Sequence, residues 1–227
     1  MKRWLGCCGA FVLAIAAGGA HAQAIVRQRG DAIVFSGRID QASVREFLLL
    51  LPGPSVRRLV IRSQGGLVEP ALDMAEALFG RGLDVEVDQS CLSSCANYVF
   101  PAGRHKLLSG PFAVGWHGNM AHVLYREARG DEHWSEPMMA SARVLARREA
   151  AFYARIGVDG FVCWFGKLPP YGVPDFYALS VTDMAGFGIR DVTVRAPVGA
   201  PPSPDVRSIA VDWGTLERIR PPALLPR

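Results

Sequence analysis

Ser93 and Ser94 stand together in the run CLSSCANYVF, His117 follows in AVGWHG, and Gly65-Gly66 lie upstream at the end of an apolar run. Acyl transfer by a serine needs a nucleophile, a base, an acid to orient the base, and N–H donors for the oxyanion. Either serine supplies the nucleophile and His117 the base. Gly65 and Gly66 allow positive φ and close backbone approach, so an N–H there can face a substrate carbonyl. The second donor is the N–H after the nucleophile, at a helix start where unpaired amides gather; with Ser94 as nucleophile it belongs to Cys95. Each feature also has a plain structural reading. A serine before a helix commonly caps it, a histidine beside apolar residues is often buried structure, and Gly-Gly is an ordinary turn.

Those residues need a frame. Residues 31–39 read as a strand, followed by a helix from Gln41 to Leu51 that stops at Pro52-Gly53. Arg58 to Ile61 suit a buried parallel strand, with a turn at Ser63–Gly66. Val68, Ala71, Leu72, Ala75, Leu78 and Phe79 follow helical spacing, and this helix is expected to close at Gly80. Strands are expected at Leu83–Val87, Leu107-Leu108 and Phe112–Trp116, with a short small-residue helix from Ser94 to Ala102. A longer helix covers Glu136–Ile156, residues 160–175 form an aromatic connector, and Val181–Phe187 and Asp191–Val194 close the pattern as helix and strand. Such alternation argues for an α/β domain with a largely parallel sheet. The aromatic cluster at Phe161, Trp164, Phe165, Tyr171, Phe176 and Tyr177 reads as core or subunit contact, with an apolar substrate groove as the alternative.

The N-terminus reads as an address. Lys2 and Arg3 precede an uncharged apolar run from Trp4 to Ala17, and Ala20-His21-Ala22 is a small-x-small cleavage site, as in a secretory signal peptide. The run is short of the roughly 20 residues of a spanning helix, a retained anchor being the competing reading. The chain then divides into a signal peptide (1–22), an α/β domain (23–195) and a Pro-rich tail (196–227) expected to be poorly ordered. No second run is long enough to span a bilayer. The formal charge of +4 is scattered, without a stripe or aromatic interleaving, which argues against nucleic acid as partner. Arg143, Arg147 and Arg148 read as a solvated helix face. Beyond the expected cleavage site the cysteines are Cys91, Cys95 and Cys163. Cys91 and Cys95 can bridge across a turn in an exported protein, with buried thiols as the alternative; no fourth ligand at zinc spacing is evident, and no metal is expected.

The pattern SQGG, a helix, a strand, CLSSCANYVFPAG and GWHG resembles the Clp-protease and crotonase superfamily, and most of all its exported Clp-protease-like proteins. The resemblance runs from about Leu59 to Val192. It implies repeated ββα units with a largely parallel sheet and surrounding helices, and assembly into homo-oligomers. It implies a nucleophile at Ser94, where serine, small helix and Ala-Gly align without a gap, or at Ser93 under the Cys-x-Ser-x-Cys pattern of the exported group. The serine-to-histidine separation suits His117 as base. Asp175 falls one residue from the family's acid, with Asp159 and Asp183 as fallbacks; an Asp after Pro174 is equally a turn former. The function expected is an exported, periplasmic serine hydrolase acting on peptides or proteins, with Gly66 and Cys95 as oxyanion donors and no cofactor. The alternative is a non-catalytic binding or assembly module of the same fold. Acyl-CoA chemistry on the same paired amides is a third reading, disfavoured outside the cytoplasm.

Overall fold

A computed structural model of the chain describes residues 23–195 and 206–222. The expected signal peptide lies outside the described residues, as does the stretch 196–205. In chain order the first elements are β1 (Ile25–Arg29), β2 (Ala32–Ser36), α1 (Gln41–Leu50), β3 (Arg58–Ser63), α2 (Val68–Arg81) and β4 (Asp84–Leu92). A π-helical turn at Cys95–Val99 then leads through α3 (Phe100–Ala102) to β5 (Lys106–Gly115), α4 (Met120–Arg129) and α5 (Glu136–Ile156). Two 3-10 turns, Gly160–Cys163 and Phe165–Lys167, precede β6 (Phe176–Ala178), α6 (Val181–Gly186), β7 (Val192–Val194), β8 (Val206–Ser208) and α7 (Trp213–Ile219).

The main sheet has the order β1-β2-β3-β4-β5-β7, parallel except for β1. β1 folds back on β2 through Gly30-Asp31, where Gly30 supplies a φ of +58°. The central strands bury Ile33, Phe35, Leu59, Ile61, Val85 and Val87 completely, as a sheet covered by helices requires. The molecule is an α/β structure with a mostly parallel sheet and surrounding helices, and a second, two-stranded parallel sheet pairs β6 with β8.

Local chemistry explains the helix limits. Asp40 starts α1 by accepting from the Ser43 N–H at 2.9 Å, while the Ser43 hydroxyl accepts from the Asp40 N–H at 3.0 Å. α2 buries Ala71, Leu72, Met74, Ala75 and Leu78 and runs past Gly80 to end at Gly82, whose φ of +61° makes the left-handed cap. Arg148 of α5 reaches α2, 2.6 Å from Asp73 and 2.8 Å from Glu76. It is therefore a tie between helices, not part of a solvated face.

Several expectations change. The strand expected over 31–39 is shorter, and the preceding β1 was not foreseen. The two strand candidates around 107 and 112 are one continuous strand, β5. α4 was not foreseen; its Leu124 buries against Met139, Ala142 and Ala146 of α5. The expected poor order does not extend over the whole tail, because residues 206–222 carry β8 and α7, with Leu216 fully buried.

Candidate active site

The C-terminal ends of the parallel strands bring the chemistry to one edge of the sheet. The chain leaves β2 at Gly37-Arg38, β3 at Ser63–Gly66, β4 at Ser93 and β5 at Trp116-His117, so strand order becomes the order of groups along a cleft. Ligand sites in open parallel sheets favour this edge.

Ser93 turns the chain out of β4 with a φ of +55°, a strained value for a residue carrying a Cβ. Its N–H donates to Gly115 O at 2.9 Å, and its carbonyl accepts from the Asn97 N–H at 2.8 Å. The Cys91–Cys95 disulfide, with sulfurs 1.96 Å apart, closes the same turn. Cys163 is a free, buried thiol. Gly65, at φ +89°, packs on this turn so closely that a Cβ would sit 2.6 Å from Leu92 O and 2.7 Å from Ser93 Cβ. A Cβ on Gly66 would lie 2.0 Å from Ile39 O. Close packing thus requires both glycines.

His117 is positioned from several sides. Trp116, just before it, exchanges backbone hydrogen bonds with Tyr177 at 2.9 and 3.0 Å, and the Trp116 indole donates to Ala96 O. Asn97 Nδ2 donates to Gly118 O at 2.7 Å. Asn119 then caps α4, and the Met120 N–H donates to both carboxylate oxygens of Glu149 at 3.2 Å. Phe176 packs against the imidazole with ring centres 4.5 Å apart.

The result is a close contact between Ser93 Oγ and His117 Nε2, at 2.7 Å. Ser94, preferred on sequence grounds, is not brought to the imidazole. It is buried, and its hydroxyl accepts from the Gly66 N–H at 2.8 Å. That bond occupies the donor expected to face an oxyanion. With Ser93 at the imidazole, the N–H following the contacting serine is that of Ser94, not Cys95. Among the described residues the Ser94 N–H makes no hydrogen bond.

None of the expected acids is hydrogen-bonded to His117. Asp175 is exposed, and it is its main-chain carbonyl that is engaged, by Lys167 Nζ at 2.5 Å. Asp159 caps a 3-10 turn and pairs with Arg220 at 2.7 Å. Asp183 accepts from the Ser180 hydroxyl. Among the described residues the imidazole Nδ1 has no partner.

Removal from water holds the His117 pKa below the ordinary imidazole value, and the nearby Lys167 ammonium lowers it further. His122, stacked on Trp164, is brought down to about 4, first by burial and then by Arg126 and Lys167. Glu149 goes the other way. Burial raises it to about 7 against the opposing hydrogen bonds from Tyr98 and the α4 amides.

Most of the aromatic cluster is core: Phe161, Trp164, Phe165 and Tyr177 are buried. Phe176 instead lines the cleft at Ser93. Sequence reading missed Asn97, Lys167 and Glu149. Glu149 carried a signal, since it falls on the apolar stripe Met139, Ala142, Ala146, Tyr153 of α5. Among the described residues no His, Cys, Asp and Glu cluster is placed to hold a metal. No helix among them is long and apolar enough to cross a membrane.

No family model matches the sequence, and no curated protein matches it. Among solved structures the chain is similar to a methylmalonyl-CoA decarboxylase at 9% identity, over 38% of this chain and 44% of that one, with a TM-score of 0.30. The likeness spans less than half of that enzyme and is too slight to carry a functional argument.

Proposed function

We propose that the chain is a serine hydrolase, a peptidase in particular, with Ser93 as nucleophile and His117 as general base. The observation that carries the reading is the 2.7 Å contact between Ser93 Oγ and His117 Nε2, made by a serine held at positive φ. As His117 Nε2 takes its proton, Ser93 Oγ attacks the peptide carbonyl. The tetrahedral oxyanion lies against the Ser94 N–H, and against the Gly66 N–H once substrate displaces the Ser94 hydroxyl. His117 then returns the proton to the leaving amine. Water repeats the sequence on the acyl-enzyme, restoring Ser93. A dyad lacking a carboxylate on Nδ1 works more slowly but retains oxyanion stabilisation. Lys167 helps to keep His117 neutral and able to accept a proton.

A Clp-protease and crotonase architecture with repeated ββα units belongs to the same proposal, supported by the parallel sheet and the Gly-Gly, serine and histidine order along its edge. Export to an oxidising compartment is supported by the disulfide at the nucleophile turn. A second reading, a non-catalytic module of the same fold, is favoured by the Gly66 N–H being occupied by Ser94. Hydrolysis of a peptide library by the purified protein separates the two. Cleavage that disappears in Ser93→Ala and His117→Ala supports the peptidase. Absence of cleavage by the wild type, with the fold intact, supports the module.

A further inference from the structure

The cleft holding Ser93 and His117, about 570 Å³, is also lined by Arg38 and Arg62. They leave the sheet at the ends of β2 and β3, the strands that precede the serine's own in the sheet order. Both side chains are exposed, and neither has an ion-pair partner within 4.0 Å among the described residues. No carboxylate lines this cleft. Asp40 lies near enough to feel Arg38, but its carboxylate caps α1.

Exposed arginines are usually solvated surface, and several elsewhere on this protein are unpaired. Two features set this pair apart: its position in the cleft of the reactive serine, and the cation on the other side of that serine's base. His117 also lines a second cleft, of about 680 Å³, that contains Lys167, Arg126 and Arg129. Arg126 and Arg129 are neutralised there by Glu132 and Asp131. The Lys167 ammonium donates only to the carbonyls of Pro174 and Asp175, which leaves one of its three hydrogens free. Cations therefore flank the Ser93–His117 contact on both sides.

We infer that the substrate is an acidic peptide whose carboxylate is received by Arg38 and Arg62 next to the scissile bond. The inference rests on the hydrolase reading and adds the substrate class to it. A guanidinium presents a planar fork of N–H donors that matches a carboxylate, and a charge-assisted pair of this kind is stronger than a neutral hydrogen bond.

The test uses quenched fluorogenic peptides, identical except for Glu or Gln beside the scissile bond, each with a free or an amidated C-terminus. The expected result is kcat/KM favouring Glu over Gln by on the order of tenfold, falling as salt rises. In the Arg38→Gln/Arg62→Gln variant the ratio should fall toward one, while Arg27→Gln, on β1, should keep it. A preference that follows only the free C-terminus identifies the terminal carboxylate as the bound group. Binding of the same peptides to Ser93→Ala, read by fluorescence polarisation, separates the two layers of the argument. Selective binding of the Glu peptides without any turnover in the wild type retains the substrate class and removes the hydrolase. Turnover with equal rates for Glu and Gln peptides retains the hydrolase and overturns the inference. Equal binding without turnover overturns both.

Discussion

On the proposed mechanism, the basicity of His117 sets the pH at which Ser93 can lose its proton. Burial and the Lys167 charge both depress the imidazole pKa, so the neutral base is present above a pH that lies below 6.5. The acid limb of kcat/KM should therefore fall below that value. In Lys167→Met it should move up toward it without passing it, because burial, the larger cause, remains. An acid limb unchanged in Lys167→Met would remove the lysine from the site. The two serines make a second contrast at this scale. Ser94→Ala deletes a buried acceptor of the Gly66 N–H and should cost about 1–3 kcal/mol in denaturant unfolding. Its turnover should nevertheless stay within about tenfold of wild type, an activation difference of at most about 1.4 kcal/mol, whereas Ser93→Ala should have none. Choosing between Ser93 and Ser94 was beyond the sequence. Their side-chain types are identical, and the positive φ at Ser93 and the bond from Gly66 to Ser94 arise from how β3 and β4 end. Asp175 was illegible for a comparable reason: whether its carboxylate or its carbonyl is engaged depends on Lys167, which holds the carbonyl while the side chain stays exposed and makes no hydrogen bond to His117.

At the scale of elements, the turn after β4 is constrained by Gly65 from one side and by the disulfide from within. Gly65→Ala should prevent the native turn, since the added methyl meets Leu92 O and the Ser93 Cβ while φ remains positive. Loss of peptide cleavage together with a lowered unfolding midpoint is the expected outcome. Replacing both Cys91 and Cys95 by Ala opens a short loop, and about 2 kcal/mol of stability should go with it. α5 was legible to the residue because Pro137 near its start, a long apolar stripe and Gly157 at its end all agree. α2 was legible in its apolar face but not in its end, since Gly80 suggested a stop that the chain makes only at Gly82. α4 was hidden because Arg126, Glu127 and Arg129 dominate its composition, and its apolar side acquires meaning only against α5.

On the scale of the whole molecule, Glu149 connects the long helix to the segment that carries His117. It accepts from Tyr98 and from the Met120 amide while almost wholly buried. Its carboxyl keeps its proton up to about 7 in the folded protein, against 4.5 as the ordinary value. Its linkage to stability is therefore greatest at low pH and is lost as pH rises from 4.5 to 7. Comparison of wild type with Glu149→Gln by thermal unfolding across this range should isolate that slope, which the variant lacks. Identical pH profiles would contradict the assignment. The α/β class and the parallel sheet were legible from alternation alone, because buried strands and amphipathic helices leave periodic marks. The β6–β8 pair and α7 were not, since they depend on distant contacts such as Trp213 against Phe187.

The central claim is that Ser93 is the hydroxyl activated by His117, and a fluorophosphonate tests it without knowledge of the substrate. The purified protein should form a single covalent adduct, mapped by fragmentation mass spectrometry to the Ser93 side chain and abolished by His117→Ala. An adduct on Ser94, or no adduct on a correctly folded protein, would contradict it.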